Sequence, residues 1–478
     1  MNVFIRIEVL GRELQGRLLL GLAAAERGHH AVILNNETAF RLAENPLALP
    51  VGYFHDNSPG QEGGKTVLHE TLAARGWMIT GQDEEHGLLT DDFAKEMGGR
   101  FPSRAMANKA AMFAFGPFDA DGIRAACPEY ADRVVTTGSP RIDFWRRDMA
   151  NYFAALGSPA DDAAQPYLLF LMSFSPYRGP FRDEMPRMVF TGASGSEEDL
   201  QRRVSELEES GLDPHLVGCY RRVVSAKLAV EEIARRNPDV TIVHRTHPHE
   251  FLEAWQAVFA DAPENVRVVR DNSVSPWIRN ARGVIFSGST VGYEAAFSGV
   301  PVVCFQPDGY DATPGVSRMG HRATTVDEVV ALADEILAGN PPHVPSDRAE
   351  AMQRTLASRF FAMDGPLAAD RIVDVWEESA SDALRSAPPV TVRHLRALPT
   401  PRAFARSVRD RLQQALRLER RERHEQRLAA EELLALKFPP FDLEEVERIH
   451  RALVASLGVF AEIRITQVEP RVLHLTKD

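Results

Sequence analysis

Three short segments of this 478-residue chain hold side chains whose types and spacing could do chemistry. The first is Ser287-Gly288-Ser289-Thr290, between a strand-like run at Gly283–Phe286 and a helical pattern from about Val291 to Phe297 that stops before Gly299. A loop of small residues entering a helix lets backbone N–H groups approach a phosphate, and the helix end adds partial positive charge. The three hydroxyls add donors, though Ser and Thr also favour an ordinary N-cap. Glu294, in the same helix, meets a ribose or sugar hydroxyl or is simply solvated. The second segment is His244-Arg245-Thr246-His247-Pro248-His249, after a strand ending near Val243. Imidazole and guanidinium at the carboxyl end of a parallel strand suit an anionic ligand. Three histidines also raise a zinc site, but their spacing matches no usual ligand pattern and no fourth ligand is evident, so no metal is expected. Plain surface histidines are the other reading. The third segment is Asp83-Glu84-Glu85-His86-Gly87, after a strand at Trp77–Thr80. A carboxylate there can act as general base or nucleophile, and clustered carboxylates raise one another's pKa. His86 titrates near neutrality and could replace or assist it. An acidic run is equally the pattern of a solvated loop. Glu8 is the next candidate, because a carboxylate inside the first strand is costly to bury without a purpose.

The elements that must position these groups read as alternating strands and helices. Val3–Val9 is a strand, Arg12–Arg27 a helix with Leu14, Leu18, Leu22 and Ala25 on one face, and His30–Leu34 a second strand after Gly28. Strands follow at Trp77–Thr80, Ala111–Phe115 and Arg133–Thr137. After a polar stretch at Ser158–Gln165, a second series runs through Tyr167–Met172, Val240–His244, Val266–Val269, Gly283–Phe286 and Val300–Phe305. Helices are expected at Pro214–Arg236 and Val326–Leu337. The pattern predicts an α/β protein with mostly parallel sheets, divided at 1–157, 158–380 and 381–478. Residues 401–430 hold nine Arg against four Asp or Glu. Phe404, Val408, Leu412 and Leu416 form a stripe on a basic amphipathic helix near 402–427. That helix either lies on an anionic membrane surface or packs on the protein body.

Composition bounds the rest. Hydrophobic residues make up 44%, charged residues 26% and aromatics 8%, as in a globular protein. A net charge of −12 argues against a nucleic-acid partner. Cys127, Cys219 and Cys304 match no metal or redox spacing and suit a reducing compartment. Arg6, Glu8, Arg12 and Glu13 interrupt any signal-peptide core, and the apolar run Leu18–Ala25 is far short of the roughly 20 residues that span a bilayer. The expected location is the cytoplasm, either free or peripheral on the inner face of the membrane through 402–427.

The three segments in this order resemble the layout of bacterial sialyltransferases: an acidic pair before Gly, then His-Pro, then a Ser/Thr cluster. In that family the acidic motif supplies the base and the other two hold a CMP-sugar; here His86 separates the carboxylates from Gly87. A wider resemblance rests on Ile7-Glu8-Val9, Arg12-Glu13-Leu14, the Asp-Glu-Glu around Glu84, Gly138-Ser139-Pro140-Arg141-Ile142-Asp143 and Lys437-Phe438-Pro439. These are similar to the bacterial surface-carbohydrate biosynthesis family, near the capsule and lipopolysaccharide Kdo transferases. The resemblance implies a metal-independent GT-B glycosyltransferase of two Rossmann-like domains facing a cleft, with a helical C-terminal extension and no cofactor. Residues 1–157 would hold the acceptor, a surface glycan or glycolipid precursor, with Glu84 or Glu85 catalytic and Asp83 and His86 beside them. Residues 158–380 would hold a nucleotide-sugar donor, implied to be a CMP-activated ulosonic or nonulosonic acid, through Arg245, His247, Pro248, Ser287, Gly288, Ser289, Thr290 and Glu294. Two alternatives stand: a sugar-nucleotide epimerase like the non-hydrolysing UDP-sugar 2-epimerases, and a non-catalytic subunit of a glycan-assembly complex.

Overall fold

The computed structural model describes residues 1–43, 49–57, 64–84, 86–157, 166–172, 197–247, 250, 252–270, 273–309, 311, 313–396 and 438–477. They form two compact units. Unit 1 is Met1–Gly87, Asp92–Leu156 and Arg359–Asp478; unit 2 is Leu88–Asp91 and Gly157–Ser358.

Unit 1 is built on a sheet of eight strands. Six of them are β1 (Asn2–Ile7), β2 (His30–Asn35), β3 (Tyr53–Asp56), β4 (Met78–Gln82), β5 (Lys109–Ala114) and β6 (Val134–Thr136), running parallel in the order β2-β1-β3-β4-β5-β6. The helix Leu10–Glu26 was expected to bury one face, yet Leu18, Leu19, Leu20, Leu22, Ala23 and Ala24 are all buried. The reason is the chain's far end. Ile372, Val373 and Trp376 of the helix Ala368–Ser379, and Ile449 and Leu453 of the helix Leu443–Leu457, join the same apolar cluster. A helix covered on several sides carries apolar residues all round.

The stretch from Arg359 onwards, which takes in the extension expected at 381–478, is counted with unit 1. After the strands of unit 2, the chain returns to unit 1 with a hairpin, β13 (Ile463–Glu469) and β14 (Val472–Lys477). Strand β14 pairs antiparallel with β2, Leu473 opposite Ile33, and so continues the sheet. The basic helix expected at 402–427 lies outside the described residues.

Unit 2 has a six-stranded, fully parallel sheet in the order β12-β11-β10-β7-β8-β9. Its strands are β7 (Tyr167–Leu171), β8 (Thr241–Arg245), β9 (Val266–Val269), β10 (Val284–Phe286), β11 (Val302–Phe305) and β12 (His321–Ala323). The helix Pro214–Arg236 starts where its cap chemistry dictates. Asp213 accepts from His215 N at 2.9 Å and Leu216 N at 3.3 Å, and Pro214 needs no intrahelical acceptor. Both units are thus Rossmann-like α/β folds. Among the described residues no helix is long and apolar enough to cross a membrane.

Candidate functional site

In open parallel sheets, ligands gather outside the carboxyl ends of the strands where the strand order reverses. In unit 2 that point is β7, flanked by β10 and β8. Ser287 N donates to Leu171 O at 3.2 Å, pinning the end of β10 to the end of β7. Gly288 then adopts φ +66°, and nothing lies within 4 Å of where a Cβ would stand. Only glycine enters that conformation without strain, and the space beside its backbone is open. Thr290 holds the N-cap position of the helix Val291–Ser298 in helical backbone geometry, with no side-chain cap bond. Of the hydroxyls, Ser289 Oγ accepts Val291 N at 3.5 Å, so the capping contact comes from Ser289 and not from the N-cap residue. Glu294 is buried rather than solvated, and its charge opposes the fall that burial imposes on the Arg279 pKa.

The histidine segment divides. His244 is fully buried against Trp255, 4.0 Å between ring centroids, and burial pushes its pKa down to about 3, so it is a neutral core residue. Arg245 ends β8, and Thr246 N donates to Val269 O at 3.1 Å. His247 begins a turn clamped by Glu250, whose Oε2 accepts His247 N at 3.2 Å and Trp255 Nε1 at 2.9 Å. That turn brings half-buried His247 to the β8 side of the switch point. Pro248 and His249 lie outside the described residues.

In unit 1 the acidic segment follows β4, and it is not a solvated loop. Asp83 is buried and accepts from Arg100 Nη2 at 2.7 Å. Glu84 is buried against Arg17 Nη2 at 2.5 Å, while Arg141 Nη1 donates to its carbonyl at 2.8 Å. Burial holds the Glu84 carboxyl above its ordinary pKa although Arg17 pulls the other way. Glu85 lies outside the described residues, and His86 opens a short helix, His86–Leu89. Gly87 is needed where it stands, since a Cβ would come within 2.6 Å of Asp119 Oδ1. Asp119 is a group that sequence reasoning missed. Its Oδ2 accepts Phe115 N at 3.2 Å, and burial, then the charge of Asp83, pushes its pKa up to about 7.

A second cluster, of which sequence reasoning named only Glu8, occupies the switch point of unit 1, between β1 and β3. Buried Arg6 donates to Asp56, to Asn57 and, at 3.1 Å, to Glu8. Asp56 also accepts from His69 Nε2 at 2.7 Å, and Lys109 Nζ meets His69 Nδ1 at 3.1 Å. Glu13 clamps the turn after β1, accepting Glu8 N at 3.0 Å and Val9 N at 3.3 Å. The only sequence signal was the pair of charges, Arg6 and Glu8, interrupting an apolar strand. The Gly138–Asp143 motif is a positioning device. Gly138 O accepts from Gln82 at 2.6 Å, and Asp143 caps the helix Ala368–Ser379 by accepting Ala368 N at 3.0 Å. Among the described residues, no group of three or more His, Cys, Asp or Glu is placed to hold a metal.

No family model and no curated protein matches the chain. Solved structures resemble it in trace. MnaA of S. aureus with UDP has a TM-score of 0.48 and 12% identity, covering 82% of this chain and 99% of that one. UDP-GlcNAc 2-epimerase from Neisseria meningitidis bound to UDP-GlcNAc has a TM-score of 0.45 and 11% identity, covering 79% and 100%. HepE of Anabaena in complex with UDP-glucose has a TM-score of 0.42 and 10% identity, covering 79% and 100%.

Proposed function

We propose that this chain is a nucleotide-sugar enzyme and, of the two reactions its sequence suggests, an epimerase. The observation that carries the nucleotide assignment is the turn Ser287–Thr290. It offers backbone N–H groups, hydroxyls and open space beside Gly288 at a helix start, on the switch point of a parallel sheet. Such a turn suits a diphosphate, with His247 and Arg245 as cationic or donor groups and Glu294 as acceptor.

The choice of reaction rests on two carboxyl groups of unit 1. Inverting a carbon centre requires a base to remove a proton and an acid to return one. Asp83, ion-paired with Arg100, is a base, and neighbouring Asp119, which keeps its proton to about pH 7, is an acid. A transferase needs only one base towards its acceptor hydroxyl. The full-length protein, incubated in D2O without acceptor with UDP-N-acetylglucosamine, UDP-glucose and CMP- and GDP-sugars, should yield a second epimer carrying deuterium at the inverted carbon. Nucleotide binding without a new sugar would return the reading to a glycosyltransferase, with the CMP-activated acidic donor to be tried against glycan acceptors. Absence of any nucleotide binding would leave the non-catalytic subunit.

A further inference from the structure

We infer that Glu8 is the sugar-contacting carboxylate of unit 1, a fixed acceptor for the hydroxyl hydrogens of an uncharged sugar. The inference rests on the reading of the chain as a nucleotide-sugar enzyme. Glu8 follows β1 and Asn57 follows β3, so both stand at the reversal of strand order. Glu8 Oε2 accepts from Arg6 Nη2 at 3.1 Å, Asn57 Nδ2 at 3.1 Å and Lys65 Nζ at 3.2 Å. Among the described residues every contact to this carboxylate falls on Oε2, and the side chain is 38% exposed. Among the described residues Oε1 makes no contact, and it is the oxygen the inference gives to a ligand.

What stands behind Glu8 is a relay of buried groups. Protonated Lys109 can only donate, so His69 accepts at Nδ1 and carries its proton on Nε2, towards Asp56. Asp56 in turn fixes Arg6, and Arg6 fixes Glu8. Taking this many charges out of water is expensive, and apolar residues would fill the same space more cheaply. An oriented acceptor at the mouth of the network gives that expense a purpose.

The ligand class follows from the charges. An ionised carboxylate is acceptor-only, so it recognises donors. Arg6 and Lys65 already balance Glu8, which removes most of the gain from binding a cation, and a ligand carboxylate would be repelled. Hydroxyls remain. Lys65 and Arg6, against the cost of burial, hold the Glu8 pKa down at about 2, so it stays an acceptor throughout the working pH range.

The test compares, by calorimetry on full-length protein, affinity for UDP and for UDP-N-acetylglucosamine. The ratio of the two reports the sugar's share of binding. Glu8→Gln and Glu8→Ala should leave UDP affinity unchanged and cut the sugar's share about tenfold or more. An unchanged ratio in both variants, or no sugar contribution in the parent protein, overturns the inference. If no protein binds UDP, the reading of unit 2 fails separately. Saturation-transfer NMR with free N-acetylglucosamine and glucose then decides for Glu8: signal in the parent protein that Glu8→Gln loses sustains it, and anything else overturns it.

Discussion

At the reversal of strand order in unit 2, the chain places Ser287, Gly288, Ser289 and Thr290, a turn of small neutral residues with open space beside its backbone. At the same topological position in unit 1 it places Arg6, Glu8, Asp56 and Asn57, backed by His69 and Lys109. One turn carries no charge of its own and leads into a helix start, which suits an anion. The other is charge-balanced and presents a single acceptor, which suits a neutral polyol. The difference teaches that a shared fold fixes where ligands gather, while the local balance of charge decides what kind of ligand.

The comparison is most exposed in stability. Replacing Asp56 by Ala leaves Arg6 buried and short of its partner, which should cost about 3–5 kcal/mol. Ser287→Ala, in a turn that holds by its backbone, should cost no more than about 1 kcal/mol. Urea unfolding of the two variants measures both. Comparable losses would mean that the turn in unit 2 is also a structural network and not a free binding edge.

Within unit 1, the carboxyl beside the acidic segment and those at the switch point should also part in their response to pH. The Asp119 pKa lies near 7 in the folded protein, against about 3.9 in an unfolded chain. The native state therefore holds this proton over a range where the unfolded state has lost it, so the contribution to stability declines as pH rises from about 4 to about 7. Asp119→Asn should remove that decline and gain on the parent protein over the same window, by up to about 4 kcal/mol. Asp56 and Glu8 act in the opposite sense, because their lowered pKa values make their contribution fall away at acid pH. The difference between variant and parent isolates Asp119, and a difference that is flat from pH 4 to pH 7 would remove it as the proposed acid.

What could be read from the sequence followed local rules, and what could not was settled by distant contacts. The helix Pro214–Arg236 runs between the residues expected, because Asp213-Pro214 starts it and the apolar spacing continues to its end. Strand β3 went unseen because two of its four residues, His55 and Asp56, are polar. They are buried because Thr80 pairs with the one, and Arg6 and His69 with the other, partners many residues away in sequence. The hairpin β13–β14 was hidden for a similar reason: its pairing partner, β2, is more than 400 residues earlier. At the candidate site, the Ser287–Thr290 turn was legible because a run of small residues between a strand and a helix is a local pattern. Asp119 was not, since burial and the neighbouring Asp83 set its chemistry. The acidic segment was visible, but its ion pairs with Arg100 and Arg17 were not.

Smaller effects should appear in nucleotide affinity. His247→Ala removes a charge-assisted contact and should weaken binding about tenfold or more. Gly288→Ala forces a Cβ into the left-handed region, at about 1–2 kcal/mol of strain. Its effect on affinity should not exceed about thirtyfold, since the space beside it is open. Calorimetry with UDP reads both, and unchanged affinity in a folded His247→Ala protein would remove the segment after β8 from the site.

The smallest effect is expected three residues earlier, and it sharpens the same division within one segment. His244 shares its sequence neighbourhood with His247, yet its ring is fully buried against Trp255 and Phe259. Burial alone keeps it neutral, so at pH 7.5 it contributes volume and ring contact but no charge. Phe has similar shape and needs no hydrogen bond, so His244→Phe should change stability by less than about 1.5 kcal/mol in either direction. Nucleotide affinity should stay within twofold, because no charge facing the ligand has been altered. The two proteins should separate only below about pH 6, where the unfolded parent chain takes up a proton that the folded core refuses. A tenfold loss of affinity at neutral pH with stability unchanged would instead make His244 part of the nucleotide site. It would also show that unit 2 recognises its ligand from within the sheet and not only from the turns at its edge.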